Sequence, residues 1–282
     1  MDVTIVGLGN WGSSLAHACR AADIPLNEVI VRSRRKSPSL PIVEFEQARF
    51  DAQILWLCVR DGEIATVAQH IAAQKGRLNG QIVIHSSGAL NVAALDVAKR
   101  AGAHVASIAP VMTFPTRIPV PLEGVLFAME AEVGVKKRLN ALVHTLGGRA
   151  FPIEPQNKVL YHAAATLASP LLVSELSAAM AAARLAGLSA VQAREWLGAL
   201  AQATFQNVLA HGPENSFSGP FARGDAATIR LHLQALAKHP ILAEVYRSLA
   251  RYAVEALPVE CKKDLEALLK PLQEENPSGV RH

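Results

Sequence analysis

Cysteine is scarce in this chain. Its 282 residues hold three, Cys19, Cys58 and Cys261. They are far apart and odd in number, so neither a disulfide framework nor a clustered zinc site is expected, and a reducing compartment fits. Aromatic residues make up only 5%, and no basic cluster is interleaved with them, which argues against a nucleic-acid surface. The formal charge of +4 is the small difference between 28 basic and 24 acidic residues. The opening MDVTIVGLG has an acid at Asp2 and enters a strand pattern at once, so no signal peptide is expected. The most apolar stretch, 163–183, is rich in alanine and interrupted by Glu175, and is expected to fall short of a membrane span. These absences leave a cytoplasmic protein with no metal, no membrane and no nucleic-acid partner. Half of its residues are hydrophobic, enough for a well-buried core.

The first half alternates short β-branched runs with helical patterns. Strands are expected at 3–7, 28–32, 52–59, 81–87 and 104–110, with helices at 11–22, 62–74 and 91–102. The run AQILWLCV (52–59) is continuously apolar, as in a strand buried on both faces. Such alternation predicts parallel βαβ units with right-handed crossovers. Two late strands, 124–131 and 149–154, flank a helix near 134–146. No strand pattern follows. A long, largely buried helix is expected from 156 to 187, with Pro155 near its first turn, Pro170 kinking it and Gly187 past its end. Ser189 and Gln192 have capping-box spacing, Asp225 is placed as an N-cap, and Pro240 opens a further helix. The fold class is therefore α/β: a Rossmann-like, mostly parallel sheet domain at 1–153, then an all-helical domain at 154–270. The polar residues 271–282 are expected to be a flexible tail.

Gly7, Gly9 and Gly12 form G-x-G-x-x-G between a strand and a helix. A dinucleotide site needs this pattern for a tight turn, for close backbone approach to a pyrophosphate and for helix–strand packing. The segment GNWG thus puts Gly7, Gly9, Asn10, Trp11 and Gly12 among the cofactor-binding candidates. About twenty residues further on, an NAD site has an acid for the ribose 2′-hydroxyl. This chain has none there. It has Arg32, Ser33, Arg34, Arg35 and Lys36. A guanidinium fork with a neighbouring hydroxyl suits a 2′-phosphate, so NADP(H) is the expected cofactor, with Arg32, Ser33 and Arg34 as its ligands.

Ligands of open parallel sheets bind beyond the carboxyl ends of the strands. That rule selects Val59, Arg60 and Asp61 for the adenosine side, Ser86 and Ser87 for ribose or substrate, and Thr113 for substrate. In the helical half, Lys158, His162, Thr166 and Ser169 fall on one helix face. Lys158 and His162 are candidate proton donors for reduction of a C=O or C=N bond. Ser169 and Arg223 are candidate substrate ligands, Arg223 as a clamp on a substrate anion.

The segments VTIVGLGNWG, LWLCVRDGEI, IHSSGAL, YHAAATLAS and SGPFARGDAAT resemble, in content and order, Rossmann-like proteins that carry the domain of unknown function 2520. That family is similar to pyrroline-5-carboxylate reductases, deazaflavin-dependent NADP oxidoreductases and the 6-phosphogluconate dehydrogenase group. The resemblance implies an NADP domain, a helical domain like the 6-phosphogluconate dehydrogenase C-terminal domain, a homodimer through the helices, and a small-molecule site between the domains. It implies no particular substrate. Two positions depart from the family pattern: Ala109 stands where relatives often carry His, and Pro170 where they often carry Asn. The expected function is an NADP(H)-dependent oxidoreductase acting on a small carbonyl or imine. The alternative is a non-catalytic NADP-binding sensor or complex subunit, which Ala109 and Pro170 favour.

Overall fold

The structure is a computed structural model, and it describes residues 1–32 and 39–270. The expected tail at 271–282 lies outside the described residues, as do Ser33 and Arg34. By internal packing the described chain falls into two compact units, one ending at Ser169 and one beginning at Pro170.

The first unit is built on eight strands: β1 (Val3–Val6), β2 (Leu26–Val31), β3 (Ile42–Glu44), β4 (Ile54–Leu57), β5 (Ile82–His85), β6 (His104–Pro110), β7 (Leu126–Ala131) and β8 (Arg149–Pro152). They form one sheet in the order β3-β2-β1-β4-β5-β6-β7-β8. The first six are parallel, β7 is antiparallel to β6, and β8 is parallel to β7. The order reverses between β1 and β4, which is where a doubly wound sheet opens a crevice at its carboxyl edge. All the strands expected from the sequence are present. β3 was not anticipated, because three residues at a sheet edge are too few to show a period.

Helices α1 (Asn10–Ala21), α2 (Ile64–Lys75), α3 (Asp96–Arg100) and α4 (Val133–Thr145) cover the sheet. The apolar run of β4 divides as a doubly covered strand should. Ile54 and Trp56 join a core with Leu15, Ile84 and Leu139, while Leu55 and Leu57 join another with Ile64, Ile71 and Val83. Burying a large aliphatic side chain contributes about 1.5–3 kcal/mol, so the two cores hold the strand ends in place.

The expected long helix is interrupted. It comprises α5 (Lys158–Thr166), a π turn at Leu167–Leu171 and α6 (Leu172–Leu185). Pro170 lies inside the π turn, where a wider backbone ring accommodates its missing N–H. The expectation that this helix is largely buried is not met. Val159 is 70% exposed and Val173 65%. The expectation that it falls short of a membrane span is also corrected. By length and composition Pro155–Leu185 is apolar enough to cross one, with a mean hydropathy of 1.3 over its best window.

The second unit continues with α7 (Ala190–Ser216), α8 (Ala226–Leu236), α9 (Pro240–Ala256) and α10 (Lys262–Leu269). α7 breaks at Gly212, whose φ is +78°. Ser189 and Gln192 complete the expected capping box, Asp225 caps α8 through the Thr228 N–H, and Pro240 starts α9. Ile229, Leu233, Ala250, Val254, Leu265 and Leu269 form the core of this unit.

Candidate functional site

The end of β1 determines the site. Gly7 has a φ of +102°, and a Cβ there would sit 2.6 Å from the Cys58 carbonyl oxygen at the end of β4. A Cβ at Gly12 would lie 2.0 Å from the Gly7 oxygen. These glycines let the chain turn sharply and bring α1 close against the sheet. Gly9 differs: nothing stands within 4 Å of where its Cβ would be. The backbone there is open, at the N-terminus of α1, whose free N–H groups and dipole favour an anion.

A cleft of about 680 Å³ opens at this turn. It lies at the reversal of strand order, and residues at the ends of β1, β2 and β4 line it. Gly7, Gly9, Arg32, Val59 and Arg60 of the sequence-derived set line it. Arg32 forms an ion pair with Glu63, and this hydrogen bond holds the Glu63 carboxyl below its ordinary pKa. The Arg32 side chain remains 80% exposed. Sequence reasoning missed several lining groups: Phe45, Glu63, His70 and Arg117. Phe45 follows the short β3, and Arg117 lies in the loop between β6 and β7, so neither has a local motif to reveal it. Only Glu63 had a signal, its place in the quoted segment after β4.

Other expected residues serve the scaffold around the cleft. Asn10 Nδ2 donates to the Phe114 carbonyl at 2.8 Å. The Trp11 and Trp56 indoles both donate to Ser86 Oγ, each at 2.8 Å. A hydroxyl oxygen has two acceptor positions, so the Ser86 oxygen is fully used. Ser87 is 4% exposed. Its Oγ donates to Asp61 at 2.7 Å and accepts from the Ala89 and Leu90 N–H groups. Asp61 is thus engaged with Ser87.

Lys158 is only 1% exposed, and its Nζ donates to Ser107 Oγ at 2.7 Å with Glu130 at 3.9 Å. Burial lowers the Lys158 pKa and raises that of Glu130. The single polar face expected along this helix is therefore divided. Lys158 is a buried tie between α5 and strands β6 and β7, while His162, one turn on, is exposed. A Cβ on Gly88 would come within 2.8 Å of His162 Nδ1, so the imidazole rests directly on the backbone of the SSG turn. Thr166 Oγ1 bonds back to the His162 carbonyl. Thr113 is exposed and Ser169 half-buried. Arg223 belongs to the second unit, exposed in the turn before α8, where its charge helps hold the Asp225 carboxyl below its usual range after the Thr228 hydrogen bonds.

Residues 1–110 match the family model for a Rossmann-like domain, and 125–253 match that for a domain of unknown function, DUF2520. No curated protein matches the sequence. Among solved structures, a Bacteroides fragilis protein assigned as an NADP oxidoreductase superposes with a TM-score of 0.74 at 20% identity, over 89% of this chain and 96% of that one. A reductive aminase from Aspergillus terreus, in complex with NADPH and ethyl levulinate, gives 0.70 at 16%, over 95% and 99%. Plasmodium falciparum pyrroline carboxylate reductase with NADP bound gives 0.61 at 17%, over 95% and 98%. At these identities the likeness is one of fold.

Proposed function

The chain carries a Rossmann-like domain followed by the domain of unknown function DUF2520, and from this we propose that it is an NADP(H)-dependent oxidoreductase reducing a small carbonyl or imine. One observation carries the reading: an open glycine turn and an exposed arginine at the end of β2 line a single cleft at the strand-order reversal. The residues fit the cofactor. Gly9 leaves room for a pyrophosphate, α1 presents its N-terminus, and Arg32 offers a bidentate fork to a 2′-phosphate in place of Glu63. The structural relatives that carry NADP or NADPH support the same reading.

When bound, NADPH supplies a hydride. The protein then has to hold the substrate and deliver a proton. His162 suits the second task, because its imidazole is exposed and held at the SSG turn. An imidazolium there would donate to the oxygen or nitrogen that gains charge as the double bond is reduced. Lys158 has its ammonium turned onto Ser107, and we assign it the positioning of α5 and thereby of His162. Thr113, Ser169 and Arg223 remain the substrate candidates, Arg223 for a substrate anion.

A homodimer in the cytoplasm completes the proposal. Helices α6 and α7 expose Val173, Leu185, Trp196, Leu200, Phe205 and Leu209. An apolar surface of this extent is unusual on a monomer, and a second copy of the chain is its proposed cover.

The test is titration of NADPH and NADH into the wild type and Arg32→Ala, followed by NADPH oxidation with a panel of keto acids, aldehydes and imines. NADPH should bind at least about tenfold tighter than NADH, and Arg32→Ala should lose that margin, since a charge-assisted fork is worth about 1.5–3 kcal/mol. Equal affinities would overturn the cofactor assignment. His162→Ala should lower kcat far more than it changes KM. The second reading, a non-catalytic NADP-binding sensor or complex subunit, is favoured by the internal engagement of Ser86, Ser87 and Lys158. Tight NADPH binding without turnover across the panel would select it.

A further inference from the structure

The loop between β6 and β7 crosses the first turns of α1 and is fastened on both sides of its middle. On one side the Phe114 carbonyl accepts from Asn10 Nδ2 at 2.8 Å, and the Phe114 ring packs on Trp11 with centroids 5.1 Å apart. On the other side the Val120 N–H donates to Ser14 Oγ at 3.0 Å. Arg117 stands midway, three residues from each fastening. A hydrogen bond from the Ile118 N–H to Thr116 Oγ1 at 3.2 Å shapes the tip. Arg117 lines the cleft together with Gly7, Leu8 and Gly9. Among the described residues no carboxylate lies within ion-pair distance of it. Of the other arginines lining the cleft, Arg32 is already paired with Glu63, and the charge of Arg60 also acts on that carboxylate.

A strap that brings an unpaired guanidinium to the glycine turn has a specific use. The glycine turn can offer an anion only backbone N–H groups and a helix dipole, which are partial charges. A full positive charge in the same cleft supplies the counterion those groups lack. We propose that Arg117 is a pyrophosphate ligand, held over the glycine turn by the fastened β6–β7 loop. This rests on the reading of the cleft as a dinucleotide site. It differs from the role of Arg32, because the pyrophosphate is common to NADPH and NADH whereas the 2′-phosphate belongs to NADPH alone.

The experiment compares Arg117→Ala and Arg117→Gln with the wild type by calorimetric titration of NADPH, NADH and adenosine 2′-monophosphate, which has no pyrophosphate. Arg117 is exposed, and both fastenings use other residues, so the variants should fold. The expected result is an equal rise of about tenfold in Kd for NADPH and NADH, with adenosine 2′-monophosphate unchanged. Loss confined to NADPH, loss shared by adenosine 2′-monophosphate, or no loss at all would overturn the assignment of Arg117 while leaving the cofactor reading intact. Failure of the wild type to bind either dinucleotide would overturn both.

Discussion

His85 shows how much one buried side chain can govern. It ends β5 with no exposure, its Nε2 3.1 Å from the Asn91 carbonyl and its Nδ1 accepting from the Ser87 N–H at 3.2 Å. That pair of partners requires a neutral ring with its proton on Nε2. Burial lowers its pKa from 6.5 to about 4. Below 6.5 the unfolded chain binds a proton that the folded chain refuses, so stability falls with pH between those two values. The contribution present at neutral pH should shrink by about 2 kcal/mol by pH 5. Urea unfolding of the wild type at pH 7 and pH 5 should show this loss, and His85→Asn should lack that part of it. Part of this region is legible in the sequence: IHSSGAL follows a strand, which marks it as lining a crevice edge. The use of each hydroxyl is not legible. Ser86 is taken up by indoles 75 and 30 residues away, and no local pattern reports so distant a partner.

The elements follow the sequence wherever local chemistry decides them. Ser189 and Gln192 answer each other's backbone at the start of α7, at 3.2 and 3.0 Å. Ser189→Ala should cost about 1 kcal/mol, read as a lower urea midpoint with an unchanged slope. An unchanged midpoint would mean that tertiary packing alone holds this end of the helix. Elements depart from expectation where tertiary forces decide them. The helix predicted at 91–102 divides into a 3-10 turn (Val92–Leu95) and the short α3. There Glu130 of the distant β7 accepts from the Val92 N–H. Pro170 was expected to kink a continuous α-helix, and the chain instead widens into a π turn. The direction of β7 is another case. Its apolar pattern reads the same in either sense, and only pairing with β6 makes it antiparallel.

Across the whole molecule, the balance of covered and uncovered apolar surface is the dominant fact. In the first unit every sheet strand but the edges is covered, whereas α6 and α7 carry exposed leucines and aromatics. If a second copy covers them, sedimentation of the wild type should give twice the chain mass. Leu200→Glu with Phe205→Glu should then give a monomer of unchanged helix content, because burying two unpaired carboxylates in an apolar interface is strongly unfavourable. A monomeric wild type would leave the exposed face without its proposed partner.

The sequence by itself determined the βαβ alternation, the glycine turn, the caps and the basic residue at the end of β2, because each depends on neighbours within a few residues. It also carried the five ordered segments that resemble the DUF2520 proteins. Only the tertiary structure decided which side chains are free to act. It buried Lys158 against Ser107, used the hydroxyls of Ser86 and Ser87 within the scaffold, left His162 exposed at the SSG turn, and brought Arg117 to the cleft. Those outcomes depend on contacts between residues tens of positions apart, and such contacts exist only once the sheet has formed.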